Sequence, residues 1–585
     1  MTDISAQHKH ITKFDRQFFT GKEKFTYIGG GSLGGKAQGL ARVHDILFEK
    51  IQDKYAPEIT VNIPTLTVIA TDYFDLFMKQ NNLNEIAFSD MRNDRIAHAF
   101  QKADLPPQLA GDLRALVTQV HQPLAIRSSS MLEDAMFEPF ASVYATKMIA
   151  NNQFDADIRF RKLAEAVKFI WASTYFKDAK NYIKMTHHTT ADEKMAVVIQ
   201  EVVGRKYQDR FYPHICGVAR SYNFYPTGHA KPEDGIVDLA LGLGKSIVDD
   251  SIAWAFSPKY PKADPPYNTI NELLKFSQTE FWGVNMGAPP AYDPINETEY
   301  MFRYNINDAE TDDTLKYIAS TYRMHDDRII TGTGVKGPRL INFAPILRAR
   351  QIPLVELLKD LLKLCEDTLG NMVEIEFAIT LDDKSCAPAR FGFLQVRPMV
   401  VSNEEVNVEQ SELASNGVLA ASENVLGNGT IDTIQDIVYV KKDNFEVHST
   451  TAIAKQLEAI NNSLVDNRQP YLLIGFGRWG TSDPQGGIPV NFGQISGAKV
   501  IIESTLPQMD YIMSQGSHFF HNITSFKVFY FSIDHWGHYK IDWEWLDKQQ
   551  QVAETEYVRH VKLQAPLIIK VDGRSGRGVI SYDRC

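Results

Sequence analysis

The stretch NMVEIEFAITLDDKSCAPARFGFLQVRPMV, residues 371–400, constrains the fold more tightly than any other part of the chain. Two apolar runs, VEIEFAI and FGFLQV, flank a polar turn around Asp382, Asp383, Lys384 and Ser385, and this pattern predicts a β-hairpin. Residues two apart on a strand share a face, so Glu374 and Glu376 lie together on the first strand, and Gln395 and Arg397 lie together on the second. Paired carboxylates near a core are costly unless something neutralises them. Two readings follow. The face binds cations and phosphate, or it is a solvent-facing strand with a cross-strand ion pair.

A second constraint lies near the start, in GGGSLGGKAQGL, residues 29–40. Gly30, four residues and then Gly35-Lys36 nearly spell a P-loop, but Ala37 stands where that loop needs a metal-binding hydroxyl. The preceding KFTYI is short and only half apolar, a poor buried strand. The following AQGLARVHDILFEKI places Leu40, Val43, Leu47 and Ile51 on one helical face. Lys36 at a helix start suits an anion. The residues alone leave two readings open, a phosphate cradle of another kind or a glycine-rich connector before an ordinary helix.

Further along, LAIRSSSMLED places a short buried-strand pattern before Arg127, three serines and the acidic pair Glu133-Asp134. Serine hydroxyls and turn amides form anion nests, and Arg127 adds a planar, permanently charged fork. The plainer alternative is a surface arginine before a serine-rich loop. MAVVIQEVVG, 194–204, reads as a buried strand running into a turn, and GIVDLALGLGKSIVDD, 235–250, as an apolar segment punctuated by glycine.

Composition narrows the partners. The 585 residues predict about three to four domains. A net charge of −11 gives no electrostatic reason to expect nucleic acid or an anionic membrane. Cys216, Cys365, Cys386 and Cys585 are scattered, which predicts neither a zinc site nor a disulfide framework and makes a reducing cytoplasm the default. The polar MTDISAQHKHITKFD lacks the apolar core of a secretory signal, and no apolar run is long enough to span a bilayer.

In order and spacing, GGKAQGL, IPTLTVIATDYF, LAIRSSSMLED, FAS, MAVVIQEVV, LGLGKSIVDD, VEIEFAI and FLQVRP resemble the ATP-binding domain of pyruvate phosphate dikinase and phosphoenolpyruvate synthase, over roughly residues 20–400. The resemblance implies an α/β fold with an ATP-grasp-like, two-lobed N-terminal module over 1–410, its lobes roughly 20–190 and 191–400. It also implies ATP and Mg2+ as cofactors. Lys36 and Arg127 would contact the phosphates. Gln200, Glu201 and Val203 would line the adenine slot. Glu374 and Glu376 would hold Mg2+, and Gln395 and Arg397 would close on the transferring phosphoryl group, with Arg127 beside them.

The chain departs from the family in several places. It has CGVARSYNFYPTG where a threonine-rich GVMFT-type segment is usual, Lys245 where Glu follows GLG, Glu374 where Asp is common, and an insertion between about 255 and 340. The 188 residues from Pro398 to Cys585 are too few for a (β/α)8 barrel of about 250, so the family's pyruvate-binding barrel is expected to be absent.

For the remainder, the small polar segment 411–432 reads as a linker and 433–585 as a mixed α/β domain. A glycine-rich loop carries Arg478, Trp479 and Asp483, and a second loop carries Arg574 and Arg577. Both are expected to face the ATP site in at least one conformation, although Trp479 reads equally well as core filler. His518 faintly echoes the dikinases' phospho-accepting histidine, but with His521 and two phenylalanines nearby a scaffold role is the stronger reading. Three functions remain open: a kinase-like phosphotransferase on an unidentified small-molecule or protein acceptor, a dikinase-like half-enzyme that passes phosphate through His518 or a partner carrier, and a non-catalytic ATP sensor.

Overall fold

The structure is a computed structural model. It describes residues 11–130, 143–185, 193–224, 226, 228–248, 253–263, 269–275, 277–382, 388–399, 406–481, 487–490, 492–507, 509 and 528–582. The chain divides into two compact units. One holds Met1–Lys177, Thr190–Asn223 and Thr227–Met399; the other holds Asp178–Thr189, Phe224–Pro226 and Val400–Cys585. Both are mixed α/β.

The first unit is organised around two six-stranded sheets. One runs in the order Thr12–Lys13, Phe25–Ile28, Leu66–Ile69, Met195–Glu201, Leu124–Ser130, Thr146–Ile149. Its first three strands are parallel, and the pairings from Leu66–Ile69 onward are antiparallel. The other runs Trp254–Phe256, Ile236–Ala240, Ile215–Arg220, Val373–Thr380, Ala389–Pro398, Ile59–Asn62. The hairpin expected at 371–400 lies inside this second sheet, between Ile215–Arg220 and Ile59–Asn62, and both its strands are largely buried.

The helix Gly34–Leu47 packs into the core that these sheets share. Ala37, Leu40, Ala41, Val43 and Leu47 lie in one cluster with Val68 and Val198 of the first sheet and Ile375, Phe377 and Val396 of the hairpin. Gly39 is the point of closest approach: a Cβ there would stand 2.9 Å from the Val396 carbonyl oxygen. The leucine-rich helix Leu354–Leu369 covers the same cluster and ends on Gly370 in the left-handed conformation (φ +70°).

The insertion adds two strands, Glu280–Asn285 and Met301–Asn305, to the hairpin Arg205–Tyr207 and Arg210–Tyr212, which makes a four-stranded sheet, and it also forms a three-stranded one. The segment between Asn285 and Met301 returns to the edge of the first sheet, where Lys147 secures it. The lysine is 1% exposed and donates to the carbonyls of Pro294 (2.8 Å), Asn296 (2.9 Å) and Asp293 (3.4 Å). Its Nζ also lies 2.8 Å from Oε2 of the equally buried Glu299, an ionic contact without hydrogen-bond alignment. Burial pulls the lysine pKa down and Glu299 opposes that shift.

The second unit contains a seven-stranded sheet with a parallel centre, Phe529–Ile533, Ala498–Ser504, Tyr471–Phe476 and Asp436–Val440, and a separate four-stranded sheet. Here the sequence expectation is corrected. Much of 411–432, read as a linker, is strand: Val418–Ser422 pairs with Arg577–Ser581, Val425–Leu426 with Phe529–Ile533, and Gly429–Ile431 with Ile568–Asp572. The small residues that suggested mobility let strands pack closely, and Leu419, Ala420, Ala421, Val425 and Leu426 are all buried. Among the described residues no helix is long and apolar enough to cross a membrane.

Candidate functional site

The hairpin register places Glu374 opposite Arg397 and Glu376 opposite Gln395, with an irregularity just after Glu376. Both carboxylates are already matched by guanidiniums. Arg397 donates through Nε (2.8 Å) and Nη2 to Oε1 of Glu374. Arg220, on the neighbouring strand, donates through Nε (2.6 Å) to Oε2 of Glu374 and through Nη1 (2.8 Å) to Asp238. Arg127 reaches across from the first sheet. Its Nη2 donates to Glu376 (2.8 Å) and to Oε1 of Gln395 (2.6 Å), and its Nη1 to the Leu394 carbonyl (3.3 Å).

The two sides of this lattice differ in exposure. Glu374 keeps 2% of its side-chain surface and Glu376 keeps 30%. Burial works against ionisation of Glu376, but the Arg127 and Arg397 guanidiniums outweigh it and hold the carboxyl below its usual range. Asp238 goes the other way: burial raises its pKa, and Arg220 only partly offsets that.

The glycine loop is anchored by residues that carried no assigned role in the sequence reading. Gly30 N donates to Oδ2 of Asp72 (2.8 Å) and Ser32 N to Oγ1 of Thr71 (3.0 Å), while Thr71 N donates back to Ser32 O (3.0 Å). Thr71 and Asp72 begin the helix Thr71–Gln80, inside the quoted IPTLTVIATDYF, so a hydroxyl and a carboxylate at a helix start were the available signal. At Gly34 (φ +73°) any Cβ would fall 1.7 Å from the Ser129 carbonyl oxygen, which admits only glycine. Ser129 Oγ then donates to Leu33 O (2.9 Å) and accepts from Ala37 N (3.3 Å). Lys36 Nζ donates to Ser128 Oγ (3.1 Å), one residue from Arg127. The helix Gly34–Leu47 has no acidic residue in its first turn, so its N-terminal amides and dipole present positive potential beside Lys36.

The expected adenine-slot residues occupy the end of Met195–Glu201. Gln200 stands opposite Ala125, and Val198 opposite Arg127. Residues paired across antiparallel strands point to one side, so Gln200 shares Arg127's face. It is 2% exposed, and among the described residues its Nε2 finds no acceptor. An unmade buried donor is costly, and a bound acceptor would satisfy it. Glu201, the next residue, points to the opposite face; burial raises its carboxyl pKa despite Thr65 and Lys24. Val203 packs on the hairpin, close enough that a Cβ at Gly392 would meet it at 2.5 Å.

A resident metal has oxygen donors available here, the type that suits a hard cation. No group of three or more His, Cys, Asp or Glu side chains among the described residues is arranged to hold one.

The second unit's candidates fare differently. Trp479 is core: it is 1% exposed and donates Nε1 to Ile502 O (3.2 Å). Arg478, its neighbour, is partly exposed on the short strand Arg478–Trp479 that follows Tyr471–Phe476. Arg577 lies 3.9 Å from Glu423 and donates weakly to Gln410 (3.5 Å), and Arg574 sits on a turn capped by Asp572. His518, His521, Asp483, the Glu133-Asp134 pair and the turn residues Asp383, Lys384 and Ser385 lie outside the described residues.

No curated protein matches the chain. Residues 31–417 span all but the first two residues of the glycine loop, its Thr71-Asp72 anchor, the Arg127 and Gln200 strands and the whole charged hairpin. That stretch matches the AMP/ATP-binding domain of pyruvate phosphate dikinase, and the chain belongs to that family of ATP-binding phosphotransferase domains.

Proposed function

We propose that the protein is an ATP- and Mg2+-dependent phosphotransferase with an ATP-grasp-like cleft, acting on a small-molecule or protein acceptor still to be identified. One observation carries the reading: Lys36, in the first turn of its helix, reaches Ser128 beside Arg127, and Arg127 meets the hairpin that bears Arg397, Gln395 and Glu376. Phosphoryl transfer needs positioning and charge neutralisation more than covalent help, and these groups supply both. Lys36 and the helix amides would bind phosphate oxygens. Arg127 and Arg397 would hold the transferring group in line, with Gln395 orienting Arg127. Gln200 Nε2 would donate to an acceptor atom of the base. Mg2+, when bound, neutralises phosphate charge. Glu376 is its most accessible protein ligand; Glu374 would need to exchange an arginine to join it. Delivery of the acceptor by the second unit, through loops near Arg478, Arg574 and Arg577, is part of the same proposal. So is a cytoplasmic location, which suits ATP chemistry and the buried, unpaired thiols of Cys216 and Cys365.

Incubation with labelled ATP, Mg2+ and a metabolite extract tests the reading. ADP and a labelled acceptor are expected. AMP plus phosphate would instead indicate dikinase-like chemistry through His518 or a carrier protein, and tight ATP binding without turnover would indicate a sensor. Glu376→Gln keeps the side chain's size and removes its charge. It is expected to raise the Mg2+ concentration for half-maximal turnover by about tenfold or more. The apo protein should still fold, its melting temperature lowered by no more than the worth of the lost Arg127–Glu376 pair. Normal turnover at limiting Mg2+ would remove Glu376 from the metal site.

A further inference from the structure

Arg220 belongs to CGVARSYNFYPTG, the segment in which the chain departs from its relatives, and the ATP reading leaves it without a part. Its position is specific. It ends the strand Ile215–Arg220, directly opposite Glu374. Its guanidinium bridges two carboxylates, Glu374 at 2.6 Å and Asp238 at 2.8 Å. With Arg397 on the far side of Glu374, the four side chains form a row of alternating charge, Asp238, Arg220, Glu374, Arg397. All four are at least mostly buried, with side-chain exposures of 15%, 15%, 2% and 11%.

This row restricts what Glu374 can do. Each of its oxygens accepts from a different guanidinium, Oε1 from Arg397 and Oε2 from Arg220. A cation arriving at Glu374 would displace one of them. If Arg220 left, Asp238 would lose its ion-pair partner in a buried setting, a loss that costs several kcal/mol in comparable pairs. Glu376 is held less tightly: Arg127 pairs with its Oε2, and it is the more exposed carboxylate. What Glu374 does well is hold Arg397 in one plane. The arginine's Nε–Nη2 edge lies on Oε1, which turns its other edge away from the carboxylate.

We infer that Arg220, braced by Asp238, is a positioning residue that fixes Glu374 as a bracket for Arg397, so that Glu374 orients the phosphate-binding arginine and Glu376 takes the metal. The inference rests on the ATP reading above and deepens it. A lysine at 220 would keep the charge but could not bridge both carboxylates with a rigid fork. A general electrostatic role tolerates that exchange; a positioning role does not.

The test is calorimetric titration of the full chain with ATP, once in EDTA and once with Mg2+, for wild type, Arg220→Lys, Asp238→Asn and Glu374→Gln, with melting temperatures as folding controls. The three variants are expected to lose metal-free ATP affinity by on the order of tenfold, the worth of one charge-assisted contact. Their half-saturating Mg2+ should stay at the wild-type value, unlike that of Glu376→Gln. Arg220→Lys and Asp238→Asn perturb the row without removing Glu374, so they decide the matter even if Glu374→Gln misfolds. Unchanged metal-free affinity in variants that melt normally would overturn the inference alone, as would a Mg2+ requirement that rises as it does in Glu376→Gln. Wild-type protein that binds no ATP in either buffer would overturn the ATP reading and this inference with it.

Discussion

Lys147→Met is expected to destabilise the first unit by about 3–5 kcal/mol, the usual cost of removing one member of a buried ion pair. The loss has two parts. Glu299, 2% exposed at its side chain, would keep a charge whose nearest remaining cation is Lys162 at 3.6 Å. The carbonyls of Asp293, Pro294 and Asn296 would lose their shared donor in a buried setting. The double variant Lys147→Met/Glu299→Met should recover the ionic part and not the carbonyl part, leaving it between the single variant and wild type. A lower urea midpoint and faster hydrogen exchange over 288–299 are the readouts. A single variant that unfolds at the wild-type midpoint would show that the buried pair does not secure this segment.

Arg127→Ala is expected to weaken Mg-ATP binding by roughly one to two orders of magnitude, corresponding to one lost charge-assisted phosphate contact of about 1.5–3 kcal/mol. Lys36→Ala should act in the same direction. Arg127→Ala carries a second signature, because Arg127 is also the hydrogen-bonded counterion of Glu376. In the wild type the folded pKa of Glu376 is held below the ordinary glutamate value, so the pair's contribution to stability is fully present above that ordinary value and is lost as pH falls through the depressed one. The variant should lose this acid limb, and Glu376 should take up its proton at higher pH. Calorimetry showing unchanged ATP affinity in both Arg127→Ala and Lys36→Ala would refute the assignment of the phosphate site.

Much of the first unit was legible in the chain because the relevant signals are local. The period-two pattern of VEIEFAI and FGFLQV was enough to place a hairpin and to pair the face of Glu374 and Glu376 with that of Gln395 and Arg397, with a cross-strand ion pair as one of two readings of that face. The 3.6-residue spacing of Leu40, Val43, Leu47 and Ile51 was enough for a helix with one buried side. Local signals misled where small residues stood for two opposite things. In 411–432 they suggested a mobile joint, yet small side chains also permit close strand packing, and only the partners supplied by 529–533 and 568–581 distinguish the two.

By itself, then, the order of residues determined the charged hairpin and the helix after the glycine loop, which charged side chains share a face, and that this helix start suits an anion. The tertiary structure alone decided which charge neutralises which. Asp72 holds the loop from 42 residues away, Arg220 occupies Glu374 across 154, and Arg127 reaches Glu376 across 249. Those distances depend on strand order within the sheets and on how the sheets pack. The periodicity of a single strand specifies which way a side chain points and carries no information about what stands opposite it.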